Sequence, residues 1–532
     1  MANRMPKKRV KAQPAPDSAV SGIAELDSIL RGGFPRNRMC LLQGPPGSGK
    51  TTLALQFLLA GAKQGEKGAY ITFSETAVEL RQSAKSHGWS LNGLSIIDLT
   101  KMNSDLGLEK QYTVLHPADV ELAETSTELL KKIKVLSPRR LVLDSLSELR
   151  MVARDPLRYR RQILALKQAL SELGCTVLFL DDQTSETGAD LLLQSIAHGV
   201  VQLTSEETSQ GALHRRIKVT KMRGVSFFEG AHDLRIATGG IEVFPRLSPA
   251  GDALLDGFNG GAALASGIKE LDELMGGPIP WGFGVMIVGP PGIGKSSLAA
   301  QFAVSAVRDG KKVCMYSFEE SVTTFLRRCE SLGIGIAKHV KNGAVEIKRV
   351  DPSRITPGQI IHDISTSIEQ NHAGVVVIDS LNGYLQAMSS DRSFIVHLHE
   401  LLAYLNARGV ITILVSTQHG FINVDRSSFE ATYLADLVIL LRYFESLGTV
   451  RQAISIIKNR SQDHERSIRE FEVGKKGIRI GVPLTGFQGV LTGNPEFSGE
   501  SGTLIRDQDA KTKTSFHHRG TGPVVRAVRQ RH

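Results

Sequence analysis

The chain has 532 residues, 41% of them hydrophobic and 22% charged, an ordinary globular composition at a length suited to two to four domains. No apolar run approaches the roughly 18 residues of a membrane span, and the charged N-terminal stretch leads into no secretory apolar segment, so a cytoplasmic protein without a membrane partner is expected. The net charge of +10 sits in the ends: residues 1–16 hold five basic and no acidic side chains, and residues 506–532 hold seven basic and two acidic, which leaves a neutral body and disfavours nucleic acid as a partner.

In chain order, residues 1–16 read as a basic disordered tail. A first domain over 17–247 opens with SGIAELDSILRGGFPRNRMCLLQGPPGSGKTTLALQF, Ser21 to Phe57, and the text returns without a gap 245 residues later, from Ser266 to Phe302. Repetition on this scale is a whole domain copied, far longer than a solenoid unit. A Gly- and Ala-rich linker covers 248–261, a second domain 262–492, and a basic flexible tail 493–532. Short apolar runs alternate with amphipathic stretches in both halves, the β-α-β pattern of an α/β fold with a mostly parallel twisted sheet flanked by helices. The four cysteines, Cys40, Cys175, Cys314 and Cys329, form no CxxC pair and read as buried reduced thiols.

Each half carries G-x-x-x-x-G-K-[ST] between a strand-like and a helix-like run, the context in which this motif binds phosphate. The residues expected to contact ATP are Gly44, Gly47, Ser48, Gly49, Lys50, Thr51 and Thr52 in the first copy. In the second they are Gly289, Gly292, Ile293, Gly294, Lys295, Ser296 and Ser297. Glycines let backbone N–H groups wrap the phosphates, the lysine neutralises their charge, and Thr51 or Ser296 would ligate Mg²⁺. Buried strands Leu141–Asp144 and Val375–Asp379 each end in a carboxylate, so Asp144 and Asp379 are expected as the second metal ligands, at the carboxyl edge where ligands bind.

A nucleophile must also be activated. The strand ends reading Phe-Ser-Glu75 and Phe-Glu319-Glu320 nominate Glu75, Glu319 and Glu320 as catalytic carboxylates, with Glu319 also near the metal. Ser74 stands where the second copy has Glu319, so hydrolysis in the first half must rely on Glu75 or be slow.

The duplicated P-loops, the SGIxELDxL openings, the Phe-x-Glu strand ends, and Lys-Met-Arg-Gly and Lys-Asn-Arg-Ser late in each half resemble the KaiC family of RecA-like ATPases over residues 18 to about 492. The resemblance implies two tandem RecA-like P-loop domains, a hexamer with ATP between subunits, ATPase activity, and Ser/Thr autophosphorylation in the second domain. It also implies that Lys221, Met222, Arg223, Lys458, Asn459, Arg460, His464 and Arg466 reach a neighbour's nucleotide, with Ser86 a minor contact. The family's adjacent phosphoacceptors fall on Thr432 and Tyr433, the second a phenol in place of an aliphatic hydroxyl. Regulatory or output proteins would be further partners. A RecA-like DNA motor or a scaffold with one active site are the alternatives.

Overall fold

The computed structural model describes residues 17–100, 127, 129–153, 156–183, 193–207, 213–247, 263–388, 391–417, 432–446, 448–490 and 496–497. The N-terminal tail, the linker and most of the C-terminal tail lie outside the described residues. Glu496–Phe497 is an exception and pairs with Phe487–Gln488.

Two nine-stranded sheets dominate, one per half. In the first, six parallel strands run in the order Leu94–Asp98, Gly68–Thr72, Arg140–Asp144, Thr176–Asp182, Met39–Gly44 and Gly199–Glu207. Three antiparallel strands, Leu213–Met222, Ala231–Ala237 and Gly240–Phe244, extend the last edge. The second repeats this order with Val345–Arg349, Lys312–Ser317, Ala373–Asp379, Ile411–Thr417, Gly284–Gly289, Leu437–Ser446, Thr449–Asn459, Arg469–Gly474 and Gly477–Pro483. These are tandem RecA-like P-loop domains, and the expected α/β class holds.

The parallel strands are apolar on both sides because both faces are covered. Cys40 and Leu42 enter one core layer with the helix Lys50–Lys63, while Leu41 faces the opposite layer with Ile163 and Leu170 of the helix Pro156–Glu172. That two-sided burial is why these runs lack polar alternation. The four cysteines are buried and free. No helix among the described residues is long and apolar enough to cross a membrane.

The halves touch through apolar contacts, Leu247 against the second core and the Phe244 ring against His362, and through polar ones. Asp233 of the first sheet accepts a hydrogen bond of 2.7 Å from the N–H of Gly358, in the first turn of the helix Pro357–Asn371, and Arg246 pairs with Glu400.

Candidate functional site

Each P-loop follows a central strand and ends on a helix N-terminus at the carboxyl edge of its sheet. Gly49 and Gly294, which precede the helices Lys50–Lys63 and Lys295–Arg308, have φ of 106° and 103°, and Gly47 and Gly292 have φ of 75° and 78°. Such conformations favour glycine, which has no Cβ to clash. A side chain at Gly44 would meet the Leu203 carbonyl oxygen at 2.6 Å, and one at Gly289 the Leu441 carbonyl oxygen at 2.8 Å. The buried Ser48 hydroxyl has no hydrogen-bond partner among the described residues. A glycine cradle, a long helix N-terminus and a buried hydroxyl without a partner fit a phosphate chain.

The lysines are folded inward. Lys50 Nζ donates to the carbonyls of Gly44 and Pro45 at 2.8 and 2.9 Å, and Lys295 Nζ to those of Gly289 and Pro290 at 2.8 Å. Burial brings the Lys295 ammonium down to about 8, against the opposing pull of Asp379 and Glu319. A buried ammonium at the mouth of a glycine cradle is a ready receptor for phosphate.

Beside each lysine the strand-ending aspartate faces the hydroxyl that follows it. Thr51 Oγ1 lies 3.3 Å from Asp144, whose carboxylate also accepts from Tyr70, and Ser296 hydrogen-bonds Asp379. Burial raises both aspartates, and a second carboxylate nearby adds to the rise: Asp182 for Asp144, Glu319 for Asp379. Carboxylates held above their ordinary range by burial, each with an adjacent hydroxyl, are the hard oxygen donors that could hold Mg²⁺. In both halves the peptide bond after this aspartate is cis.

The catalytic candidates differ between the halves. Glu319 is exposed, and the Ser380 hydroxyl donates to it. Glu320 is held by Arg328, whose Nη2 lies 2.7 Å away and whose Nη1 donates to Ser297 at 2.8 Å. In the first half Ser74 is exposed and Glu75 half-buried; burial raises the Glu75 carboxyl, and Asp144, Glu79 and Asp182 push it further. The helix Ala77–Ser86 has Ser83 where its copy has Arg328.

The expected neighbour-reaching residues lie on the opposite edge of the sheets. Met222 pairs with Gly199, which pairs with Cys40 at the start of the P-loop strand. Lys221 Nζ donates to the Gln194 carbonyl at 2.6 Å and Arg223 to that of Ser195 at 3.0 Å, while Met222 is buried in its own core. In the second half Lys458 Nζ donates to the carbonyls of Thr432, Tyr433 and Ala435, and Arg460 to that of Tyr433. Thr432 is half-buried and Tyr433 is 53% exposed. Asn459 is spent on the end of a helix, donating to the Met275 carbonyl at 2.9 Å. His464 and the exposed Arg466 follow in the loop against that helix end, and Ser86 donates to the carbonyl of Ser83 within its own helix. Gly292 is exposed, Ile293 and Ser297 are buried, and Thr52 is half-buried.

Sequence reasoning missed three residues at these sites. Arg328 could have been found by aligning the copies. Asp182, 2.7 Å from Lys50 Nζ, closes an apolar run in an Asp-Asp pair, and Arg215, donating to the Gly47 carbonyl at 3.1 Å, is 168 residues away in the chain and left no local signal.

The family described as ATPase: KaiC matches residues 19–248 and again 264–484. The chain belongs to the KaiC ATPase family. A circadian clock oscillator protein KaiC of Parathermosynechococcus lividus is 26% identical over 490 residues, covering 89% of this chain and 87% of that one. A circadian clock protein KaiC3 of a Synechocystis species is 25% identical, with 90% and 95% covered, and the Synechococcus elongatus clock oscillator protein KaiC is 25% identical, with 89% and 91% covered. Membership of this KaiC family carries a general function in ATP binding and hydrolysis.

Proposed function

We propose that this KaiC-family chain assembles head to tail into a ring, a hexamer, in which each ATP is held by one subunit's P-loop and completed by its neighbour's basic motif. The observation that carries this reading is the placement of both motifs. From Cys40, level with Met222, to Gly44 is a strand run of about 13 Å at roughly 3.3 Å per residue. Lys221 and Arg223 leave the far edge of the sheet, and a contact with their own P-loop would require crossing it. Lys458 and Arg460 stand in the same relation to Gly289. A surface used at one edge and received at the other makes a heterologous contact, which gives a ring when the rotation between subunits closes and a filament when it does not; the proposed form is the ring.

At each site the P-loop backbone N–H groups and Lys50 or Lys295 orient and neutralise the phosphates. Thr51 with Asp144, and Ser296 with Asp379, would hold Mg²⁺, which supplies charge neutralisation on the phosphate oxygens. In the second half Glu319, oriented by Ser380, takes a proton from the nucleophile. When the nucleophile is water the outcome is hydrolysis. When it is the Thr432 hydroxyl of the neighbour, which sits beside Lys458 and Arg460 at the edge offered across the interface, the outcome is autophosphorylation, with Tyr433 the adjacent candidate acceptor. The relatives named as clock proteins make a timing or signalling output with further protein partners the matching cellular role.

Sedimentation with and without Mg·ATP, together with mass spectrometry after incubation, tests both parts. ATP-dependent assembly weakened by Lys50→Ala, and phosphate on Thr432 that vanishes in Lys295→Ala, are the expected results. A chain that stays monomeric at saturating ATP sinks the ring; an unmodified Thr432 with undiminished hydrolysis leaves only the ATPase.

A further inference from the structure

We infer that Asp182 is the water-activating carboxylate of the first site, replacing from the other side of the Asp144 strand the one that Ser74 does not provide. The inference rests on the reading of the first half as an ATPase.

In both sheets the strand ending in the candidate metal ligand is flanked by two others. In the second half these are Lys312–Ser317, which leads to Glu319, and Ile411–Thr417. In the first they are Gly68–Thr72, which leads to Ser74, and Thr176–Asp182. The last residues of the second flanking strands are equivalent: Asp182 pairs with Gly44, and Thr417 with Gly289. Both positions are held alike, since the N–H of Asp182 donates to Ser147 Oγ at 3.0 Å and that of Thr417 to Asn382 Oδ1 at 3.1 Å. Beyond the Glu75 and Glu320 that both halves share, each site therefore has one further acidic side chain beside its strand-ending aspartate, on opposite flanks: Asp182 in the first and Glu319 in the second.

The two aspartates of the Asp181–Asp182 pair have separate surroundings. Asp181 is fully buried and committed to Arg150, at 2.8 and 3.0 Å, and to Gln43. Asp182 is 32% exposed and lies 2.7 Å from Lys50 Nζ. A carboxylate that touches the lysine that would hold the terminal phosphate, and that is open to solvent, can hold a water beside that phosphate. Glu75 is less suited, because it is the counterpart of Glu320 and not of Glu319, and so does not fill the position that Ser74 leaves without a carboxylate. In the step itself the water oxygen bonds to the γ-phosphorus and the bond to the β–γ bridging oxygen breaks, its electron pair leaving with ADP. The water proton passes to Asp182 and then to solvent.

The test uses the full chain with the second site disabled by Lys295→Ala, reading phosphate release and, separately, binding of a fluorescent ATP analogue. Asp182→Asn and Asp182→Thr, the latter placing there the residue of the second half, should lower kcat about 10²-fold or more with analogue binding retained. Ser74→Glu added to Asp182→Thr should recover a large part of the loss, which a merely structural role would not allow, and Asp182→Glu should keep more activity than Asp182→Asn. Unchanged kcat in the Asn and Thr variants, a change confined to binding, or equal losses with Glu and Asn overturns the role of Asp182 alone. A Lys295→Ala parent that binds the analogue and releases no phosphate overturns the ATPase reading of the first half, and this inference with it.

Discussion

Two inactive variants, mixed, should make an active enzyme. Lys50→Ala removes the phosphate-binding ammonium from the first P-loop, and Arg223→Ala removes the basic group at the far edge of the same sheet; Glu319→Gln in both backgrounds silences the second site. Each variant alone should fall by about 10³-fold or more, the loss seen when an arginine that completes a nucleotide site is removed. If the two elements meet only between subunits, random assembly from a 1:1 mixture, held together by saturating ATP at the second site that both variants keep, pairs an intact P-loop with an intact Arg223 at half times half of the interfaces. The mixture should then release phosphate at about a quarter of the parental first-site rate, because in a head-to-tail ring each interface draws its two elements from different chains. The assay is phosphate release after nucleotide-free subunits are combined and Mg·ATP is added, with the mixing ratio varied. Activity should follow the product of the two fractions, with its maximum at equal amounts. A mixture no faster than the sum of its components, with subunit exchange verified by a tagged copy, would refute the argument from sheet edges.

Ser74→Glu should raise first-site hydrolysis, and Glu319→Gln should lower that of the second by about 10² to 10⁴-fold, both read as phosphate release from chains with the other P-loop lysine replaced; equal turnover of the two sites with no gain from Ser74→Glu counts against the asymmetry. Arg328→Ala should destabilise the second half by about 2 kcal/mol, since Glu320 loses a charge-assisted partner and Ser297 its donor, and a thermal scan that leaves the second-half transition unmoved rejects this. Asp27 is raised from 3.8 to about 6 by burial, opposed by hydrogen bonds from Ser21. A raised carboxyl favours the fold below its unfolded value and loses that contribution as pH rises through the folded one, so Asp27→Asn should stabilise the protein by up to about 3 kcal/mol above pH ~6, at roughly 1.4 kcal/mol per pH unit. Denaturant unfolding at pH 5 and pH 8 checks the sign: a benefit larger at pH 5 contradicts it.

The P-loops and the strands ending in Asp144 and Asp379 were legible because their requirements are local. A left-handed turn asks for glycine, a two-sided strand asks for an unbroken apolar run, and both leave marks in adjacent residues. Glu320 shows where that legibility stops. Its carboxylate was visible, but its partner Arg328, which lies eight residues on and holds Ser297 as well, was not. Met222 shows another limit: a basic motif marks a stretch of chain, but the end of the strand turns Met222 into the core between the half-buried Lys221 and the exposed Arg223. Asp182 and Lys50 are brought together by a parallel pairing between segments some 130 residues apart, and only sheet order tells which strand ends will be neighbours.

The hydrogen bond from Gly358 to Asp233 carries a consequence for how far the copies have parted. A side chain at 358 would place its first carbon 2.9 Å from Asp233 Cβ, so the contact needs a glycine on one half and a short acid on the other. Asp233 is buried and is also 3.1 Å from His214, so the first half supplies an anion to the opening turn of a helix in the second, where such a charge is favoured. A second half expressed alone would keep its P-loop and lose that anion, and a chain built from two first halves would have no Gly358 to receive it. The nucleotide sites were inherited in duplicate, but the seam between them exists once and has a direction, so the order of the halves along the chain has become part of the fold.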